Sequence, residues 1–213
     1  IDLDQDNTLN DYILPNWPDI PIIVSYDQFW AFGYPWKNLI PEEYQKYFEE
    51  DFMDENIAND KNPLAEIYYN NLNSPEAESM GHTGLNFLSE GDTPNFFYIL
   101  DNGLRSYEDP TYGGWAGRFD KVFPSQSGKG IYTNGTLVGG LWSEASDDGD
   151  RYKPVYRWID DFQNEFAARM EWCTASYEEA NHEPVIQIEE GIDLTAAKGG
   201  TITLTPKTYD PDG

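Results

Sequence analysis

Only one cysteine, Cys173, occurs in the 213 residues, so no disulfide can form within the chain and oxidative stapling says nothing about its compartment. Histidine is nearly as scarce, with His82 and His182 alone, which leaves oxygen donors as the ligands for any metal. Basic residues number 13 against 39 acidic ones, a net charge of −26. Such a field repels phosphate backbones and anionic lipid, which argues against nucleic acid and membrane surfaces as partners. Long apolar runs are missing too: residues 20–24 and 96–100 fall far short of the ~20 residues that span a bilayer. What is present argues for a folded body, since 39% of residues are hydrophobic and 15% aromatic. The chain opens at Ile1 and stops inside Asp210-Pro211-Asp212-Gly213, and both ends are expected to be cuts.

Residues 20–26 read as a buried strand. Pro41-Glu42-Glu43 opens a helix expected to reach Ile57, with Tyr44, Phe48 and Phe52 on one stripe and Tyr47 alongside. Asp92-Thr93-Pro94 starts a short buried helix over Phe96, Phe97, Tyr98, Ile99 and Leu100, with Gly103 left-handed after its end and a strand over 96–100 as the alternative. Asn134-Gly135 between Ile131-Tyr132-Thr133 and Thr136-Leu137-Val138 signals a hairpin. Asp147-Asp148-Gly149-Asp150 reads as a solvated loop. The longest helix is expected from Pro154 to Asn181, with Val155, Trp158, Phe162, Phe166, Met170, Cys173 and Tyr177 on its apolar stripe, so Cys173 is a packing residue. After Pro184 the pattern turns to short strands, at Val185, Ile186 and Ile188 and over Thr201-Ile202-Thr203-Leu204-Thr205. A boundary near residue 183 therefore divides an α/β domain (1–183) from the start of a β-domain (184–213).

Three stretches carry a resemblance: Glu90-Gly91-Asp92-Thr93-Pro94-Asn95-Phe96-Phe97-Tyr98-Ile99-Leu100-Asp101-Asn102-Gly103-Leu104, Tyr112-Gly113-Gly114-Trp115-Ala116-Gly117-Arg118-Phe119, and Phe162-Gln163-Asn164-Glu165-Phe166-Ala167-Ala168-Arg169-Met170-Glu171-Trp172. Together they resemble the cellulose-binding proteins whose N-terminal domain is nucleoside-hydrolase-like. Asn181-His182-Glu183-Pro184 before strands resembles that family's passage into an immunoglobulin- or cadherin-like domain. The motifs cover residues 55–213, and residues 1–54 fit loosely. The resemblance implies the later part of a doubly wound α/β domain, followed by the start of a β-sandwich. It also implies kinship with calcium-dependent N-ribosidic hydrolases. The aspartate-rich loop that carries most of their calcium and the water-activating base has no counterpart here; Asp2, Asp4 and Asp6 read as a tail. An upstream segment or another subunit is the expected partner that completes the domain.

By that resemblance Asp92 is the candidate calcium ligand, and a helix N-cap otherwise. Gly91 stands where the family enzymes often have a histidine, which sets nucleoside hydrolysis in question. His82, in Gly81-His82-Thr83-Gly84, is the candidate acid–base group, or an idle loop histidine. His182 is structural, its cationic form favoured by a helix end. Tyr112, Trp115 and Arg118 form a candidate glycan-binding loop, with aromatic faces for sugar rings and a guanidinium for their oxygens, or a rigid loop packed over Trp115. Asn134-Gly135-Thr136 is a glycosylation sequon if the source is eukaryotic. Asp210 and Asp212 make a turn, with calcium binding the alternative. The expected function is a secreted, hydrolase-like protein that binds or hydrolyses glycosides, neutral glycans such as cellulose included. The alternative is a non-catalytic carbohydrate-binding or surface structural protein.

Overall fold

The computed structural model describes residues 8–25, 28–31, 38–59, 62–79, 96–122, 130–135 and 142–213. His82 and Asp92 lie outside them. A π-helical turn, Leu9–Ile13, runs into α1 (Leu14–Asn16), and β1 (Ile22–Val24) follows where the buried strand is expected. β1 pairs in parallel with β3 (Ile131–Thr133), whose other edge carries β2 (Asp120–Lys121) antiparallel. A parallel pair needs a long crossover, and residues 25–130 with their helices supply it. Burial alternates along the strands: Ile22, Val24, Ile131 and Thr133 point inward, where Leu9 and Val122 pack on the three apolar ones.

The hairpin expected at Asn134-Gly135 does not hold for β3. Both of its edges are taken, by β1 and β2, and residues 136–138, the expected second arm, lie outside the described residues. Asn134 bonds instead to Ser25 Oγ at 3.2 Å, and Gly135 accepts from Ser143 N at 3.1 Å.

The helix expected over 41–57 is two helices. α2 (Glu42–Gln45) tightens into a 3-10 turn, Lys46–Phe48, the chain extends at Glu49 (φ −91°, ψ 160°), and α3 (Glu50–Asn56) restarts with Glu50 and Asp51 in its first turn. The break turns both Phe48 and Met53 fully inward. It also frees the carbonyl of Tyr47, which accepts from Gln163 Nε2 at 2.7 Å. α4 (Pro63–Leu72) is capped by Asn62, whose Oδ1 accepts from Leu64 N and Ala65 N at 3.0 and 2.9 Å. Asn62 Nδ2 donates to Met170 O at 3.0 Å, tying α4 to a residue 108 positions further along the chain. α5 (Pro75–Ser79) follows.

Residues 96–100 are not buried all round. Phe97 and Leu100 pack on the core, whereas Phe96 and Ile99 are exposed. A single turn presents only part of its circumference to one core, and an apolar run does not say which part. Gly103 is left-handed, as expected (φ +78°).

The longest helix is also divided and shorter. α6 (Lys153–Tyr156) and α7 (Ile159–Trp172) are separated at Arg157 and Trp158, and α7 ends well before Asn181. Phe162 and Met170 are buried as the stripe requires, and Phe166 is half-buried with its ring 5.6 Å from that of Tyr68. The helix ends at Trp172, so the stripe stops there, and Cys173 and Tyr177 are exposed, contrary to the expected stripe. Ser176 starts a separate turn in which its N–H and hydroxyl both donate to Glu179, a variant of the Ser-x-x-Glu start signal that the longer stripe hides. β4 (Val185–Ile188) pairs antiparallel with β5 (Pro206–Tyr209). The second strand thus begins just after the expected 201–205, where Thr205 is held by Glu190 through N–H and hydroxyl.

The helical core makes an ordered prediction. Phe162→Ala should lower stability by ~3–5 kcal/mol and the half-buried Phe166→Ala by ~1–2 kcal/mol, measured by urea unfolding. Equal costs would mean that the two positions see the same packing.

Candidate functional site

The loop carrying Tyr112, Trp115 and Arg118 is built from a 3-10 turn, Pro110–Tyr112, capped by Asp109 through Thr111 N at 2.8 Å. Gly117 is left-handed (φ +98°), and a Cβ there would collide with Gln28 Oε1. Gln28 is fully buried and spends both ends of its amide: Oε1 accepts from Arg118 N at 2.9 Å and Nε2 donates to Ala145 O at 3.0 Å.

The three candidate residues do not converge on a ligand face. Tyr112 is 53% exposed. Trp115 is only 9% exposed, its ring 5.8 Å from Phe97 and 6.4 Å from Phe162, both edge-on. Arg118 turns inward: Nε donates to Asp147 Oδ1 at 2.8 Å, and Nη1 to Thr111 O and Tyr112 O at 2.7 and 3.2 Å. Asp147 also holds Arg157 Nη1 through Oδ2 at 2.9 Å, and its side chain is 11% exposed. The Asp147 carboxylate is therefore an internal anchor, not part of a solvated loop. Arg118 latches the loop that it was expected to serve as a sugar-binding fork. Arg157, ten residues after Asp147, is a local signal of this anchor, whereas Arg118 lies 29 residues away and gives none.

His182 bonds to Asp212 twice, through N to Oδ2 and Nδ1 to Oδ1, both at 2.6 Å, and its ring lies 4.2 Å from Tyr177. Its partner is this carboxylate and not the end of α7, which lies ten residues earlier. Asp210 Oδ1 accepts from Asp212 N at 3.0 Å, the turn reading.

The more open feature lies elsewhere. A cleft of about 720 Å³ runs between residues 100–103, one face of α7 and residues 181–186. Asp161, Glu165, Arg169 and Trp172 reach it at helical spacing, which places them on the face of α7 beside the Phe162 stripe. Asp101, Asn102 and Glu183 come from the opposite side, and Trp115 forms part of its wall. Arg169 grips Glu165 through Nε at 2.7 Å and Nη2 at 2.5 Å and lies 5.5 Å over the Trp172 ring. Trp172 Nε1 donates to Asn181 O at 2.7 Å. Asn102 Oδ1 accepts from Leu104 N at 3.2 Å, while its Nδ2 is covered and has no partner.

Two carboxyls of the cleft, those of Asp161 and Glu183, bind their protons more tightly than usual, although each residue keeps an exposed face. Asp161 is pushed up by loss of water and then by the charge of Asp160. Glu183 is pushed up by loss of water, by the charge of Glu165 and by the hydrogen bond that its protonated carboxyl donates to Glu165, with Arg169 opposing. Among the described residues, no three acidic, histidine or cysteine side chains are grouped to hold a metal ion, so they furnish no calcium shell.

The Glu183–Glu165 contact has a defined pH signature. The folded chain holds the Glu183 proton more tightly than the unfolded chain does. The contact therefore favours folding fully below the ordinary glutamate range and loses that contribution as pH rises through the raised value. In a carbon-detected NMR titration Glu183 should titrate above an ordinary glutamate, and Glu165→Gln should bring it down.

Three comparisons set this geometry among known proteins. A family model described as cellulose-binding Sde182, nucleoside hydrolase-like domain, matches residues 2–119, more than half of the chain. All but the first of residues 1–54, which fit loosely by motif, are thus included, and the motif at 162–172 lies beyond the match. A solved structure of a nucleoside hydrolase-related protein from Saccharophagus degradans, associated with carbohydrate metabolism, superposes with a TM-score of 0.58 at 22% identity. The alignment covers 95% of this chain and 43% of that one, so the chain spans less than half of its relative's length. A search of curated proteins finds no match. No helix among the described residues is long and apolar enough to cross a membrane. With the family model spanning residues 2–119 and the fold shared with a nucleoside hydrolase-related protein, the chain belongs to the cellulose-binding, nucleoside-hydrolase-like Sde182 family.

Proposed function

We propose that this chain serves an extracellular protein by binding neutral glycans, and that it binds them without hydrolysing them. The cleft carries this reading: it sets two indoles, three amides and several carboxyl groups around one concavity, the mixture that sugar rings and hydroxyls require. Hydrolysis of a glycosidic bond calls for two carboxyls about 5–9.5 Å apart, with the substrate or a water between them. Glu165 is instead spent on Arg169, and Glu183 lies close enough to it for the Glu165 charge to raise its proton affinity. Gly91, standing where the related enzymes often carry histidine, supports the same conclusion. The surplus of acidic residues favours uncharged ligands over anionic ones. In this reading residues 1–183 belong to a doubly wound domain, and the β4–β5 pair begins an immunoglobulin- or cadherin-like sandwich.

Affinity electrophoresis through gels containing a soluble neutral glucan tests the proposal. The chain should be retarded, and Trp172→Ala, which removes an exposed ring face, should weaken binding roughly tenfold. Equal mobility with and without glucan would overturn it.

Calcium is a separate proposal that rests on Asp92. One aspartate supplies at most two of the six to eight oxygens that calcium takes. The remaining oxygens would have to come from other carboxylates, from carbonyls or from water. Calorimetric titration with calcium should show binding that Asp92→Ala abolishes, and equal affinity in both would remove Asp92 from any metal site.

A further inference from the structure

The geometry points to a ligand class for the cleft: we infer that it takes a single, uncharged glycan strand in solution and not the flat face of a crystalline polymer. This rests on the reading that the chain binds glycans. A crystalline face is a plane, and holding it requires exposed rings lying in one plane. Tyr12 and Trp17 are both exposed and adjacent, with ring centroids 5.5 Å apart, but their planes meet at 74°. One of the two must therefore stand on edge against any flat surface. In the loop expected to offer two open rings, Trp115 is buried and only Tyr112 is exposed.

The cleft has the opposite character. Its volume, about 720 Å³, lies within the ~300–1,000 Å³ of pockets that enclose small ligands. Arg169 covers one face of Trp172 and Asn181 O holds its Nε1, so the ring is fixed against the wall and offers its remaining surface to one sugar at a time. The rest of the wall is made for hydroxyls, which both donate and accept. Asp101, Asp161 and Glu183 accept or share protons, and Asn164 and Asn181 do both. Asn102 Nδ2 lies beneath this wall without a partner, and a small rotation toward a ligand oxygen satisfies it. The single guanidinium, that of Arg169, is already committed to Glu165, so nothing in the wall is left to neutralise a uronate or sulfate.

The experiment uses the full 213-residue chain with five probes: cellohexaose, a glucosamine oligomer and a galacturonate oligomer by calorimetry, and acid-swollen and microcrystalline cellulose by pull-down. Cellohexaose and swollen cellulose should bind, microcrystalline cellulose should retain little, and Asn164→Ala and Trp172→Ala should each weaken cellohexaose binding about tenfold. Asn164 is exposed on α7, so its truncation tests the site even if Trp172→Ala disturbs folding. Tyr12→Ala and Trp17→Ala should leave binding unchanged. Retention on microcrystalline cellulose without cellohexaose binding would overturn the ligand class and leave glycan binding standing. Cellohexaose binding untouched by both cleft variants would overturn the site. Tighter binding of a glucosamine or galacturonate oligomer than of cellohexaose would overturn the uncharged class. Failure of every probe would overturn glycan binding itself.

Discussion

Three buried amide side chains hold this fold where regular structure runs out. The described helices and strands are short, and short elements leave many backbone carbonyls without a partner of their own. Gln28 takes the carbonyl of Ala145, Asn62 that of Met170 and Gln163 that of Tyr47, across gaps of 117, 108 and 116 residues. Each amide is itself buried, so its loss would cost both a bond and the desolvation of what it leaves behind. The loop at Gly117 depends on Gln28, the entry of α4 on Asn62, and the contact of α7 with the 3-10 turn before α3 on Gln163.

Charge is organised around the same scarcity. Thirteen cations serve 39 acids, and the most buried carboxylate among the ion pairs, Asp147, draws two arginines to itself. That allocation decides the role of Arg118, because a guanidinium that braces its own loop has little left for a sugar. The cleft receives one arginine, itself paired, and so keeps acceptors in excess of donors.

The elements legible in the sequence were those set by local chemistry. β1, the left-handed Gly103, the Asp210 turn and the inward stripe of Phe162 and Met170 follow from alternation, turn residues and helical spacing. What failed depended on distant partners. Nothing near Asn134-Gly135 shows that β3 is already flanked on both sides. The stripe through Cys173 and Tyr177 continues arithmetically past the point where α7 ends, while Ser176 and Glu179 carried a readable signal of the new turn. The cleft was legible only in part: the spacing of Asp161, Glu165, Arg169 and Trp172 marks one helical face, but Asp101, Asn102 and Glu183 arrive from other segments. Trp115 shows the reverse error, since glycines beside a tryptophan suit an open platform and a buried plug equally well.

Arg105 gives the structure a mechanical character. It holds a left-handed backbone (φ +59°) that ordinary side chains avoid, and from there its guanidinium spans Glu108 and Asp193. With His182 on Asp212 and Trp172 on Asn181 O, it makes three fastenings between the helical body and the chain around β4 and β5. All three are on the surface, and one of them is the rim of the cleft. Tension applied along the C-terminal strands would thus enter the body through these clasps and reach the cleft before it reached the packed interior, so load and ligand share one seam.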